Sequence, residues 1–314
     1  MQWYHYVIIG VLILIIIPHF VASFFVFKFI FERNSKAEIP YKEIDLFKMP
    51  HKIQKDRIYE AIDFLESKSY EEVSITSFDG LKLKGKYFNN NSNTTILLSH
   101  GYRSMPFNAF NMAAKALYEK GYNLLFIHHR AHGCSEGKYS TFGIKERIDI
   151  RNWVDFLNSK YPVDNIILYG SSMGCASIEM SLELDMPSNI KGCILDCGFD
   201  NVFKLMISEC RKRNPFNVKL TVLTMNLYCK LFAKFSMFET KSSSSIAKSN
   251  IPCFFITGKA DEVVDFAHVQ ANYNACKAYK ESVFLDGVLH GMCYYEDYPN
   301  LENKILNFIE NVAK

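Results

Sequence analysis

Ser172 stands at the centre of Gly170-Ser171-Ser172-Met173-Gly174, a G-x-S-x-G pattern with glycine two residues away on both sides. A short apolar run, Ile166 to Tyr169, precedes it, and a helix-compatible run from Cys175 to Leu184 follows. Between a strand and a helix this pattern makes a sharp turn that projects the serine hydroxyl into a cleft. The flanking glycines carry no Cβ, so strand and helix can approach closely around it. Ser171 lacks that spacing and is the weaker candidate. A hydroxyl alone is a poor nucleophile: it needs a base to take its proton and an acid to orient the base. Two later apolar runs end on such groups. Ile256-Thr257-Gly258-Lys259-Ala260-Asp261 ends on a carboxylate, and Phe284-Leu285-Asp286-Gly287-Val288-Leu289-His290 on an imidazole. We read His290 as general base and then acid, and Asp261 as the group that fixes its tautomer. Glu262, Asp265, Asp286, Asp196 and Asp200 are rival acids near the same strand ends.

Attack on a carbonyl also needs donors for the oxygen that becomes charged. The backbone N–H of Met173, directly after the nucleophile, is one candidate. The other is the N–H of Tyr102, in Ser99-His100-Gly101-Tyr102-Arg103-Ser104 after the apolar run Thr95 to Leu98. His128, His129 and His132 follow another strand, but no carboxylate or cysteine set completes a zinc-type pattern around them. His268 falls on an expected helix. No phosphate-cradling glycine motif is present, so neither a cofactor nor a metal is expected.

Strand and helix patterns alternate across the segments that carry these residues. Val73 to Ser77 and Leu81 to Tyr87 read as a hairpin about Asp79-Gly80. From Thr94 onward come strands at Thr95 to Leu98, Asn123 to Ile127, Ile166 to Tyr169, Cys193 to Leu195, Cys253 to Thr257 and Ser282 to Leu285, with helices at Phe107 to Tyr118 and Lys145 to Leu157. Such alternation predicts a mainly parallel sheet covered by helices on both faces, with function gathered at the carboxyl ends of the strands.

The 314 residues are 49% hydrophobic, ample for a core, and the net charge of +3 gives no reason to expect a nucleic-acid partner. The 9 cysteines are odd in number and include no C-x-x-C pair, as expected for buried thiols in a reducing compartment. Tyr6 to Phe27 runs 22 residues without an Asp, Glu, Lys or Arg, long enough for a transmembrane helix, with Pro18 and His19 inside it. No Lys or Arg precedes it, unlike a cleaved signal peptide, and Trp3, Tyr4 and Tyr6 suit an interface. The lysines and arginine that follow, Lys28 to Lys52, place the remainder on the cytoplasmic side. The expected organisation is an anchor over 1–32, a juxtamembrane linker with a short amphipathic helix over 33–69, and a catalytic domain over 70–314.

Taken in order, His100-Gly101, Arg130-Ala131-His132-Gly133-Cys134-Ser135-Glu136-Gly137, the serine turn, Gly258 to Asp261 and His290-Gly291 resemble the α/β-hydrolase superfamily. The likeness is to membrane-anchored bacterial hydrolases of the serine-aminopeptidase and lysophospholipase-like type, over about Val73 to Ala313. It implies an α/β-hydrolase fold: a central sheet of about eight strands, a Ser172–Asp261–His290 triad and an oxyanion hole from Tyr102 and Met173. Relatives usually carry Asp where this chain has His128 and Gly where it has Ala131, which puts that turn in question rather than the chemistry. The resemblance also implies a helical lid over residues 201–250. That stretch is basic, with Arg211, Lys212, Arg213 and Lys219 among its cations, and apolar, with Leu220, Leu223, Leu227 and Leu231. A face of this kind can lie at an anionic lipid surface. The expected activity is hydrolysis of an acyl ester, carboxylesterase- or lysolipase-like, through an acyl-serine. A peptidase acting on short peptides, or a non-catalytic binding protein on the same fold, is the alternative.

Overall fold

The computed structural model describes residues 2–33, 55–213 and 217–314, with the side chains of 7–13 and 15 outside that set. Chain order is α1 (Trp3–Phe31), α2 (Lys55–Glu66), β1 (Glu71–Thr76), β2 (Lys82–Phe88), β3 (Thr94–Ser99), α3 (Pro106–Glu119), β4 (Asn123–Ile127) and α4 (Glu146–Lys160). Then come β5 (Asn165–Ser171), α5 (Met173–Ser181), β6 (Ile190–Asp196), α6 (Val202–Arg213), α7 (Val218–Tyr228), α8 (Ser242–Ile246), β7 (Cys253–Gly258), α9 (Phe266–Ala275), β8 (Lys280–Leu285), α10 (Cys293–Glu296) and α11 (Asn300–Val312).

The eight strands form one sheet in the order β1-β2-β4-β3-β5-β6-β7-β8. β1 with β2 and β2 with β4 are antiparallel, and every later pairing is parallel. The central strands are apolar on both faces because both are covered. In β3, Leu97 faces a core shared with α4 and α5, while Ile96 and Leu98 face one shared with α2, α3 and α11. This period of two carries the sheet through the middle of the molecule, and β3, β5, β7 and β8 end on one rim.

Two segments ahead of the expected catalytic domain pack against it. The amphipathic helix forms as α2, and it packs on α3 and buries Ile58, Ala61, Ile62 and Leu65 in the second core; an apolar face of that size is stable only against a partner. The rest of the expected linker, residues 34–54, lies outside the described residues.

The expected anchor is helical, but its last turns are docked. Phe27 and Phe31 are fully buried and belong to the first core, beside α7 and the turn near Tyr139. Among the described residues no helix is long and apolar enough to cross a membrane. Much of the expected 6–27 span falls on 7–13 and 15, whose side chains are outside that set. The aromatic residues after Ser23 explain the docking: they bury more area against Tyr228, Phe232 and Phe235 than a lone helix could.

Candidate active site

Ser172 sits where β5 turns into α5, with φ 53° and ψ −115°. A serine holds such a backbone only where its surroundings impose it. A Cβ at residue 174 would lie 1.9 Å from the Ser99 carbonyl oxygen, and one at residue 170 would lie 2.5 Å from Cys175 Cα. Both glycines are thus required for β3, β5 and α5 to meet at this corner. The Ser172 N–H donates to the Asp196 carbonyl (2.8 Å), which pins the turn to the next strand.

The loops after β7 and β8 bring the other two groups to the serine. A Cβ at Gly258 would lie 2.0 Å from the Val288 carbonyl oxygen, so glycine there lets the β8 loop cross the end of β7. The Lys259 and Ala260 N–H groups donate to the Leu285 and Val288 carbonyls and tie the loops together. Asp261, its side chain fully buried, accepts the Val263 and Val264 N–H groups on Oδ1, both at 2.8 Å. Its Oδ2 accepts His290 Nδ1–H at 2.6 Å, and Ser172 Oγ donates to His290 Nε2 at 3.0 Å. The carboxylate sets the tautomer, leaving Nε2 as the acceptor for the serine proton.

Three of the rival acids have other partners. Asp265 caps α9 by accepting the Ala267 N–H, Asp200 accepts the Ser243 N–H at the start of α8, and Asp286 pairs with Lys259 on the surface. Glu262 is exposed. Asp196 lies buried at the end of β6, and burial raises its carboxyl to about 7. His268 lies on α9, as expected, and its Nδ1 accepts the Asp200 N–H.

Gly101 brings the β3 loop against the nucleophile: a Cβ there would touch Ser172 Cβ at 3.3 Å. Among the described residues the Tyr102 N–H has no acceptor in the protein. Met173 opens α5, so its N–H has no partner within the helix. Both expected oxyanion donors therefore lie in segments beside Ser172, with no backbone acceptor for either N–H among the described residues.

The buried histidines form a scaffold around this loop. His100 Nδ1–H donates to the Gly101 carbonyl and its Nε2 accepts the His129 N–H. His132 Nδ1–H donates to the Arg130 carbonyl, while its Nε2 accepts the Arg103 N–H at 3.0 Å. Burial lowers the pKa of His100, His129 and His132, and brings His128 down to about 3. They are neutral supports for the loop rather than acids or bases of the reaction.

The unusual turn after β4 is held by an ion network that no spacing in the sequence advertises. Arg130 is 2% exposed and binds Asp149 through Nε and Nη2, at 2.7 and 2.8 Å, and Asp79 of the β1–β2 turn through Nη1 at 2.8 Å. Ala131 takes the left-handed φ of 60° that glycine would favour. Arg130→Met would leave the buried Asp149 carboxylate uncompensated, and we expect it to cost about 3–5 kcal/mol. A shift in the urea midpoint measures this; no shift would mean the network is not holding the turn.

Cys197, at φ 48°, sits 3.9 Å from His290 Nε2 through its sulfur and was not singled out by any motif. Burial raises its thiol pKa well above the usual range, so it stays a neutral packing group under the imidazole. No disulfide joins any of the 9 cysteines.

Known proteins share this architecture. A family model described as serine aminopeptidase, S33, matches residues 90–202, which include the Ser172 turn but not the Asp261 and His290 loops. Uncharacterized protein YqkD of Bacillus subtilis (strain 168) is 22% identical over 251 residues, covering 78% of this chain and 82% of its own. Human alpha/beta hydrolase domain-containing protein 17C is 28% identical over 207 residues, covering 63% of this chain and 53% of its own. Among solved structures, the Pyrococcus furiosus esterase Pf2001 superimposes with a TM-score of 0.65 at 25% identity, covering 79% of this chain and 93% of its own. The Exiguobacterium antarcticum esterase EaEST, at 16% identity and a TM-score of 0.59, is similar in fold; it covers 76% of this chain and 100% of its own.

Proposed function

We propose that the chain is a hydrolase of the α/β-hydrolase superfamily, as its family match, relatives and fold support, and that it cleaves carboxylic esters by acyl transfer through Ser172. The observation that carries this is the relay of 3.0 Å from Ser172 to His290 and 2.6 Å from His290 to Asp261. Ser172 Oγ attacks the ester carbonyl carbon as its proton passes to His290 Nε2. Negative charge on the former carbonyl oxygen meets the Tyr102 and Met173 N–H groups, each worth roughly 3 kcal/mol in such sites. The C–O bond to the alcohol then breaks, and His290 gives its proton to the departing oxygen. Water repeats the sequence on the acyl-serine: its proton goes to His290, its oxygen to the acyl carbon, and Ser172 is regenerated. Asp261 stays ionised and stabilises the imidazolium in both halves.

An ester is favoured by the apolar character of the elements over the cleft and by the esterase neighbours, whose names speak for those proteins. The description of the matching family model favours short peptides as the second reading. The triad would serve either substrate, so the pocket decides.

The same proposal includes a lipid surface. α1 and α7 lie side by side and run the same way, through His19 with Thr224 (3.1 Å), Phe24 with Tyr228 and Phe27 with Phe232. Their outer faces expose Leu14, Val21 and Phe25 beside Leu220, Leu223 and Leu227, with Lys219 and Lys230 exposed on the same lid. Two apolar faces with a basic margin suit an anionic membrane surface, and the positive charge after α1 in the sequence favours the cytoplasmic side for the domain.

The test uses p-nitrophenyl esters of graded chain length against aminoacyl anilides, with and without anionic vesicles. Ester turnover that rises with chain length, and vesicle binding that falls at least tenfold in Leu223→Asp, are expected, since one leucine contributes about 1.5–3 kcal/mol. Faster turnover of the anilides would select the peptidase reading, and unchanged vesicle binding would remove the lipid surface.

A further inference from the structure

The last turn of α1 reaches the residues of both oxyanion donors, and we infer that it positions them, so that the N-terminal helix is a wall of the catalytic cleft as well as an attachment. This rests on the ester-hydrolase reading above. The final carbonyls of a helix lack donor partners within it and must find them elsewhere. For Phe29 and Ile30 of α1 those donors come from the loop after β3. Tyr102 Oη donates to the Ile30 carbonyl at 2.5 Å, and the Arg103 guanidinium donates to the Phe29 carbonyl while lying 5.0 Å from the centre of the Phe29 ring. Arg103 itself holds a left-handed φ of 53°, which a non-glycine residue keeps only under external restraint. One restraint is the His132 bond to its N–H; the α1 contacts supply the other.

The second donor is reached through a separate route. The Phe31 carbonyl accepts the Ser140 N–H at 2.9 Å, and Ser140 Oγ contacts Met173 Sδ at 3.3 Å. Phe142 joins the two routes: its ring lies 4.6 Å from Tyr102 and 5.4 Å from Phe31. Arg33, just past the helix, closes the arrangement by donating to the Ser135 carbonyl at 2.6 Å and to the Gly133 carbonyl. A donor must lie within a few tenths of an ångström of the developing oxyanion to act on it, and a misplacement of about 1 Å costs roughly 100-fold. The Tyr102 side chain is thus a positioning group for its own backbone N–H.

The experiment compares Tyr102→Phe and Arg103→Met with the native full-length chain in detergent, on a short-chain p-nitrophenyl ester. Each variant should lose roughly tenfold or more in kcat, with KM within about twofold and thermal midpoint within a few degrees. Affinity for an alkyl boronic acid, which forms a tetrahedral adduct on the serine with an oxygen toward the donors, should fall in step with kcat. A purely structural role would lower the midpoint without moving that affinity. If Tyr102→Phe does not fold, Arg103→Met decides alone. Native kcat and native boronate affinity in the folded variants would overturn the inference while leaving the ester reading standing. A native protein inert towards esters and fluorophosphonate would overturn the reading beneath it.

Discussion

Fluorophosphonate labelling should be lost in Ser172→Ala and in His290→Ala, and ester hydrolysis should fall by about 10⁴–10⁶ in either. The loss is this large because the two groups act as one unit: an unactivated hydroxyl barely reacts, and an imidazole without the hydroxyl has nothing to activate. Asp261→Asn should cost about 10⁴, since the amide favours the tautomer that presents N–H to the serine. Asp196→Asn separates the two acids, because Asp196 is buried near the imidazole yet makes no hydrogen bond to it among the described contacts. We expect Asp196→Asn to keep most of the activity. Labelling that persists in Ser172→Ala would move the nucleophile elsewhere, and a larger loss in Asp196→Asn than in Asp261→Asn would exchange their roles. The measurement is labelling intensity together with kcat/KM on one ester.

Stability should peak near pH 6.5 and fall by a few kcal/mol towards pH 4.5. The buried histidines set the acid side. Burial holds His100, His128 and His129 well below their unfolded value of about 6.5, with His128 at about 3. Below pH 6.5 the unfolded chain therefore binds more protons than the folded one, so their contribution is present above that pH and drains away down to the folded values. Each histidine removes up to about 1.4 kcal/mol per pH unit across this window. The loss has a structural form: protonating Nε2 of His132 or His100 sets an N–H against the Arg103 or His129 N–H it now accepts.

Three buried carboxyls act in the opposite sense. Burial raises Glu179 to about 8, Asp196 to about 7 and Asp149 to about 6. Their contribution is complete below the unfolded carboxyl range and is lost as pH rises through these values. They offset part of the histidine loss and produce the alkaline limb of the curve. Urea midpoints from pH 4.5 to 9 measure the profile, and Glu179→Gln should flatten its alkaline side. A stability that rises continuously into acid would contradict the neutral-histidine scaffold.

What could be seen in the chain beforehand was local chemistry. Gly170, Ser172 and Gly174 announce their turn because the requirement for missing Cβ atoms is written at fixed spacing. The strand–helix alternation was visible for the same reason: burial on two faces leaves short, wholly apolar runs. Strand-end position favours Asp261 over its rivals; the structure gives Asp265, Asp200 and Asp286 other partners, leaves Glu262 exposed and buries Asp196 without a hydrogen bond to His290. Less could be seen where partners are far apart. Nothing near Arg130 points to Asp79, 51 residues away, and nothing in the first 33 residues points to Tyr102.

The N-terminal segment shows the limit most plainly. Its composition determined that it would be helical and apolar, since no charged side chain interrupts 22 residues. Only the tertiary structure decided that its last turns pack against α7 and the residues after it, because burial against Tyr228, Phe232 and Phe142 depends on surfaces that exist once the sheet has formed. Residue type and near-neighbour spacing determine which groups can react and which elements can form, for those follow from backbone sterics and periodicity. Which carbonyl receives the Tyr102 hydroxyl, and which charge sits opposite Arg130, follow from long-range packing, where one satisfied buried partner is chosen from many that the chain could have offered.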